Sequence, residues 1–183
     1  MDMQANEEVK TPFQASIYYG VLLAVISIIF NLFSVFIPSE QRQSNALLFG
    51  LLSFIIIVGS ITYVVSTALN ARKKEQGGFI SFGQGITMSF WIGLVNSLIY
   101  SVWSLVLYII DPNALENAIN EVRMQLEKRD DTEEQIAMQM KIMEYAISPY
   151  ITLPIGVIFS VLITMIIGLA ISGILQKEKE HPF

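Results

Sequence analysis

The sequence predicts an all-α integral membrane protein with four transmembrane helices and an extracytoplasmic amphipathic helical hairpin between the third and the fourth. Three observations carry this. Hydrophobic residues make up 53% of the chain and charged residues only 15%, whereas a soluble domain is about 25% charged. No Asp, Glu, Lys or Arg occurs in 11–39, 43–71, 76–110 or 145–176, and each gap exceeds the ~20 residues a helix needs to cross the hydrocarbon core. None of these runs alternates apolar with polar residues, as the strands of a membrane β-barrel must. At 183 residues, the chain is expected to form one domain.

The first span is placed at Ala15–Ile37. Its leader holds Asp2, Glu7, Glu8 and Lys10, an acidic balance unlike a secretory signal. No Ala-x-Ala site follows, so the span is expected to be retained. Ser16, Gly20, Ala24, Ser27, Asn31 and Ser34 follow one another in steps of four or three and make one continuous face. The second span, Ala46–Leu69, is followed by Arg72, Lys73 and Lys74. The third, Gly85–Ile110, carries Gly85, Ser89, Gly93 and Ser97 at steps of four, with Asn96 beside them. The fourth, Ser148–Leu175, has Pro149 and Pro154 in its first turns, which predicts a kinked or irregular start. Gly156, Ser160, Thr164, Gly168 and Ser172 then form a small-xxx-small ridge suited to close backbone approach. These small and weakly polar faces read first as helix-packing surfaces. The competing reading is a polar pathway lined by them.

Asn31 and Asn96 are the most polar side chains in the spans. Counted from the outer helix ends they differ in depth by about 12 Å, so each is expected to bond a neighbouring helix backbone or a second subunit rather than the other. Trp91, Trp103, Tyr18, Tyr19, Tyr100 and Tyr108 lie mostly toward span ends, as an aromatic belt would.

The segment from Asp111 to Ile147 is too long for a structureless connection. Asp111-Pro112 has the form of an N-cap followed by proline at the first helical position. Leu115, Ile119, Val122 and Leu126 share one helical face. Asp130-Asp131 interrupts, Thr132-Glu133-Glu134-Gln135 has the capping-box pattern, and Ile136, Met140, Met143 and Ile147 form the next stripe. Three readings compete. The stripes pack on each other or on the bilayer, or they dock a protein partner through an adaptable methionine-rich face. The third is a soft-metal site at Met138, Met140 and Met143. It is the weakest, because Met138 and Met140 are about 200° apart on a helix and no His or Cys lies nearby.

Four spans place both termini on one side. Six basic residues lie there (Lys10, Arg72, Lys73, Lys74, Lys177, Lys179), all close to helix ends, against five on the other side, three of them well out in the long loop. The positive-inside rule then makes both termini cytoplasmic. The outer face carries the whole net charge of −5.

The composition also excludes chemistry. There is no cysteine and only one histidine, His181, so thiol nucleophiles, thiolate metal sites and multi-histidine metal sites are closed off. The acidic balance disfavours nucleic acid. No ionisable residue lies within a span, and proton relays, ion-coupled pumps and intramembrane acid–base enzymes normally need one. No catalytic, cofactor or metal site is therefore expected.

Gly77-Gly78-Phe79-Ile80-Ser81-Phe82-Gly83-Gln84-Gly85 leads into the third span. It lacks the Gly-Lys-Ser/Thr of a phosphate loop. It is no dinucleotide fingerprint either, because Met88 stands where the third glycine belongs and Leu105 at the acidic position. Gly-Gly-x-Ile-Ser-Phe-Gly opening a third membrane helix, an acidic outer loop with Glu133 to Met143, and a last glycine-bearing helix together resemble an uncharacterised bacterial membrane-protein family, domain of unknown function four-one-nine-nine. The resemblance runs from about Thr11 to Lys177. It implies a small four-helix protein of the bacterial inner membrane and brings no reaction, ligand or site residue. The expected function is a non-enzymatic accessory or scaffold acting through helix packing and the outer hairpin. Its expected partners are the lipid bilayer, a protein at the hairpin and a second copy of itself. The alternative is a small oligomeric transporter or channel lined by the small-polar faces.

Overall fold

The computed structural model describes residues 11–35, 37, 41, 44–110, 114–127 and 132–177. Its helices are α1 (Pro12–Val35), α2 (Ala46–Glu75), α3 (Phe82–Ile110), α4 (Ala114–Glu127), α5 (Glu133–Ile147) and α6 (Pro149–Leu175). Four of these, α1, α2, α3 and α6, are long and apolar enough to cross a membrane. The Asp111-Pro112 and Asp130-Asp131 signals lie outside the described residues.

The helix ends differ from the predicted spans for local reasons. α1 starts at Pro12 because Thr11 and Gln14 cap it reciprocally. The Gln14 amide donates to Thr11 Oγ1 at 3.2 Å and the Thr11 amide to Gln14 Oε1 at 2.9 Å, with proline at the first helical position, where no N–H is needed. Ser81 and Gln84 repeat the device at the start of α3, both bonds at 3.2 Å. α2 runs past Leu69 to Glu75, since Arg72, Lys73 and Lys74 complement the partial negative charge of a helix C-terminus. It stops at the two glycines. The Gly78 amide donates to the Lys73 carbonyl at 2.7 Å and the Gly77 amide to the Lys74 carbonyl at 3.1 Å, a Schellman closure. Gly77 and Gly78 have φ of +70° and +92°, which other residues adopt only with strain. α6 is continuous from Pro149 through Pro154, so the irregular start expected from its prolines is absent. Pro149 sits where its missing N–H costs nothing, and Pro154 forfeits a single donor.

The chain divides into two compact units, Met1–Ser97 with Ser160–Phe183, and Leu98–Phe159. In the first unit α1 lies against α2. Its core is built from Leu23, Ile61, Val64, Val65, Ala68, Leu69, Ile80, Met88, Ile92 and Ile171. The α2 contribution falls at helical spacing on one face. The opposite face and the N-terminal half of α2 expose Leu47, Leu48, Leu51, Leu52, Phe54 and Ile55, a surface suited to lipid and costly in water. Phe13 and Trp91 meet edge-to-face at 4.7 Å, joining the first turn of α1 to α3.

In the second unit α4 and α5 contact each other. Leu126 and Met140 are buried, while Ile119, Val122, Ile136 and Met143 are half-buried. The side chains of Leu115 and Ile147 lie outside the described residues. Thr132 caps α5 as its sequence pattern predicts, with the Thr132 amide 3.0 Å from Gln135 Oε1 and the Gln135 amide 3.4 Å from Thr132 Oγ1.

Candidate functional site

Three polar features lie in the first unit. The first is the seam between α3 and α6. Its residues pair antiparallel in a single register: Gly85 with Ser172, Ser89 with Gly168, and Gly93 with Thr164. Each glycine on one helix faces a hydroxyl residue on the other. A methyl group added at Gly93 would lie 3.0 Å from Thr164 Cβ and 3.2 Å from Val161 Cα, and one at Gly85 or Gly168 would collide with the facing serine. Ser89 and Thr164 turn their hydroxyls onto their own helix, donating to the Gly85 carbonyl at 2.8 Å and the Ser160 carbonyl at 2.8 Å. The hydroxyl of Ser172 is buried without a hydrogen-bond partner.

The second feature is a node at Asn96. Its Nδ2 donates to Ser160 Oγ at 3.2 Å, and Ser27 Oγ lies 3.5 Å from its Oδ1 while donating to the Leu23 carbonyl at 2.9 Å. One asparagine thus connects α1, α3 and α6. Asn96 meets the hydroxyl one turn before Asn31 rather than Asn31 itself, as the depth difference implies. Its partners are side chains, however, where a neighbouring backbone was expected. The backbone carbonyl of Asn31 accepts the Ser34 hydroxyl at 2.7 Å.

The other predicted packing positions divide clearly. Ser16, Gly20, Ala24, Gly93, Thr164, Gly168 and Ser172 are buried, and Ser27, Asn31 and Ser160 half-buried. Ser16 Oγ donates to the Pro12 carbonyl at 2.7 Å and lies 3.3 Å from the Met88 carbonyl. Gly20 admits Val95, whose Cβ would come within 2.6 Å of an added methyl. Gly156 is exposed with nothing within 4 Å of an added Cβ, so the close-packed ridge of α6 begins at Ser160.

The third feature was not singled out from sequence. Arg72 is 5% exposed. Its Nη1 donates to Glu75 Oε2 at 3.1 Å, and, with the Gln76 side-chain amide turned so that both its oxygen and its nitrogen find partners, its Nε donates to the Gln76 oxygen at 3.2 Å. In that orientation the Gln76 amide nitrogen also donates to the Phe79 carbonyl at 3.1 Å and to Gln84 Oε1 at 3.0 Å. The surroundings are braced by an antiparallel bridge between Ile80 and Lys177, with bonds of 3.1 and 3.0 Å. Lys73 Nζ caps α6 by donating to the Leu175 carbonyl at 2.8 Å. Beside Arg72 a cavity of about 160 Å³ opens between Gln14, Tyr18 and Tyr19 of α1, Arg72 and Glu75 of α2, and Met88 of α3. The signal was present in the chain: Ile61, Val65 and Ala68 are buried at steps of four and three, and four further residues on stands Arg72.

Among the described residues no cluster of three or more His, Cys, Asp or Glu side chains could hold a metal. Neither a curated protein nor a solved structure matches the chain. Residues 18–177, covering nearly the whole of the four membrane-length helices, match the model of the family described as Protein of unknown function (DUF4199), and the chain belongs to that family.

Proposed function

We propose that this protein is a non-enzymatic, multi-pass protein of the bacterial inner membrane, a single four-helix transmembrane domain with both termini cytoplasmic, acting as an accessory or scaffold. In this reading α4 and α5 form an extracytoplasmic hairpin that docks a protein partner, and the bundle associates with a second copy of itself. One observation carries it. α5 is apolar on two opposite faces. Ile136, Met140 and Met143 lie on the buried or half-buried side, while Met138, Ile142 and Tyr145, at steps of four and three, are 68%, 60% and 65% exposed. A helix that only completed its own hairpin would need one such face. The segment from Asp111 to Glu144 holds nine acidic residues against the four basic residues Arg123, Lys128, Arg129 and Lys141. An anionic bilayer surface would repel it, so the fitting occupant is a protein surface with an apolar centre and a basic rim.

The test is cross-linking in cells followed by purification in mild detergent. Met138→Ser, Ile142→Ser and Tyr145→Ser together should release a partner that the native chain retains. A partner that stays bound to the triple variant, or recovery of the same species with both chains at equal yield, would overturn the docking reading.

The alternative is a small oligomeric transporter or channel. The Ser27–Asn96–Ser160 chain of hydroxyl and amide groups favours it, since it is a connected polar set within the charge-free stretches of three membrane-length helices. Replacing Ser160 or Thr164 by a bulky residue should then alter solute flux in liposomes, and liposomes without flux for any candidate solute would sink it. The mutual bonds of the three residues fit helix cohesion better, at roughly 0.6 kcal/mol each and ~1.7 at most.

A further inference from the structure

We infer that the cavity beside Arg72 is a binding site for a zwitterionic phosphoethanolamine group, a phosphodiester joined to a primary ammonium, as carried by a phospholipid headgroup. The site lies at headgroup depth. Gln14 and Tyr18 stand in the first two turns of α1, and Glu75 is the last residue of α2, so the cavity opens at the ends of two helices that fit the membrane. Its volume of about 160 Å³ is room for about five waters. That is below the ~300–1,000 Å³ typical of sites for cofactors and drug-sized ligands, and it suits a small polar group whose acyl chains remain in the bilayer.

The charges select the class. Arg72 is nearly buried, and Glu75, 3.1 Å away, has a side chain 51% exposed. A simple anion would meet the Glu75 carboxylate next to the guanidinium, and a simple cation would meet the guanidinium next to the carboxylate. A ligand with opposed charges, lying antiparallel to this pair, satisfies both. The guanidinium fork recognises phosphate oxygens, and the carboxylate receives an ammonium that still carries its N–H donors. Tyr18 and Tyr19, stacked edge-to-face at 5.2 Å, supply aromatic faces for the cation and hydroxyls at the depth where tyrosines favour the interface. The inference is independent of the docking reading, because no residue of α4 or α5 lines the cavity.

The experiment is native mass spectrometry of the full chain in mild detergent, with an equimolar mixture of phosphatidylethanolamine, phosphatidylglycerol and phosphatidylcholine of matched acyl chains. The expected result is at least fivefold more phosphatidylethanolamine adduct than either competitor. The preference should be lost in Glu75→Gln, which removes the ammonium's partner at a half-exposed position. It should also be lost in Ala71→Leu, because Ala71 lines the cavity and a leucine there fills it while leaving both charges in place. A second arm adds soluble phosphoethanolamine. Competition at millimolar concentration would assign the site to the free solute as well as to the lipid, and no competition would assign it to the lipid alone. Equal adducts of the three lipids, any other order of preference, or a preference unchanged in both variants would overturn the inference.

Discussion

At Gly168 and Gly85 a single methyl group separates a packed seam from a collision. Their added Cβ atoms would fall on Ser89 and Ser172 of the facing helix, whose Cβ atoms as well as hydroxyls stand in the way, so that a change of rotamer alone gives no relief. Gly168→Ala and Gly85→Ala should each destabilise the protein by roughly 1–3 kcal/mol, the usual range for overpacking, in reversible unfolding from mild detergent. Gly173→Ala, where nothing lies within 4 Å, should leave the midpoint unchanged, and equal effects at all three would refute the seam. Ser172 makes the opposite prediction. Its buried hydroxyl has no hydrogen-bond partner, so Ser172→Ala loses no bond and should be neutral or stabilising. Asn96→Ala removes the bond to Ser160 and the contact with Ser27 and should cost about 1–3 kcal/mol. The step-of-four spacing made both ridges visible in the sequence. Which residue of one met which of the other depended on the relative depth of α3 and α6, and no local pattern encodes that.

The start of α5 was legible from its cap. Thr132 and Gln135 were read as a capping box and form one. The same Ser/Thr-x-x-Gln spacing at Thr11–Gln14 and Ser81–Gln84 starts α1 and α3 earlier than the apolar runs begin, because a cap is set by polar residues that a search for charge-free runs passes over. Ser81→Ala should cost about 1 kcal/mol and speed amide exchange in the first turn of α3 while leaving its middle protected. Uniform protection of that turn in the variant would count against the cap. The overrun of α2 past Leu69 has the related cause that bilayer thickness limits the apolar run but not the helix. Three cations at its end prolong the helix, and the paired glycines stop it.

For the molecule as a whole, the absence of cysteine makes single-cysteine labelling clean. If both termini are cytoplasmic, as proposed, Lys141→Cys should react with an impermeant maleimide in intact spheroplasts, and Lys74→Cys only after lysis. The reverse pattern would invert the topology and move α4 and α5 to the cytoplasm. Leu126→Ala should loosen α4 from α5 at a cost of about 2–5 kcal/mol to that unit, measured as increased proteolysis between the two helices. Intact helices at equal protease dose would show that burial of Leu126 does not hold them together.

By itself the sequence determined the class of this protein and the number of its membrane-length helices. Charge-free runs longer than the hydrocarbon core leave few other folds, because an unpaired backbone group in lipid costs several kcal/mol. It also determined the two shorter helices, through their apolar stripes and, for α5, the Thr132–Gln135 cap. Only the tertiary structure decided which small residues face each other, that Asn96 is shared among three helices, and that Arg72 turns inward to form one wall of a cavity. Those outcomes depend on helix rotation and depth. Both are set by side chains meeting across sequence distances that periodicity does not reach.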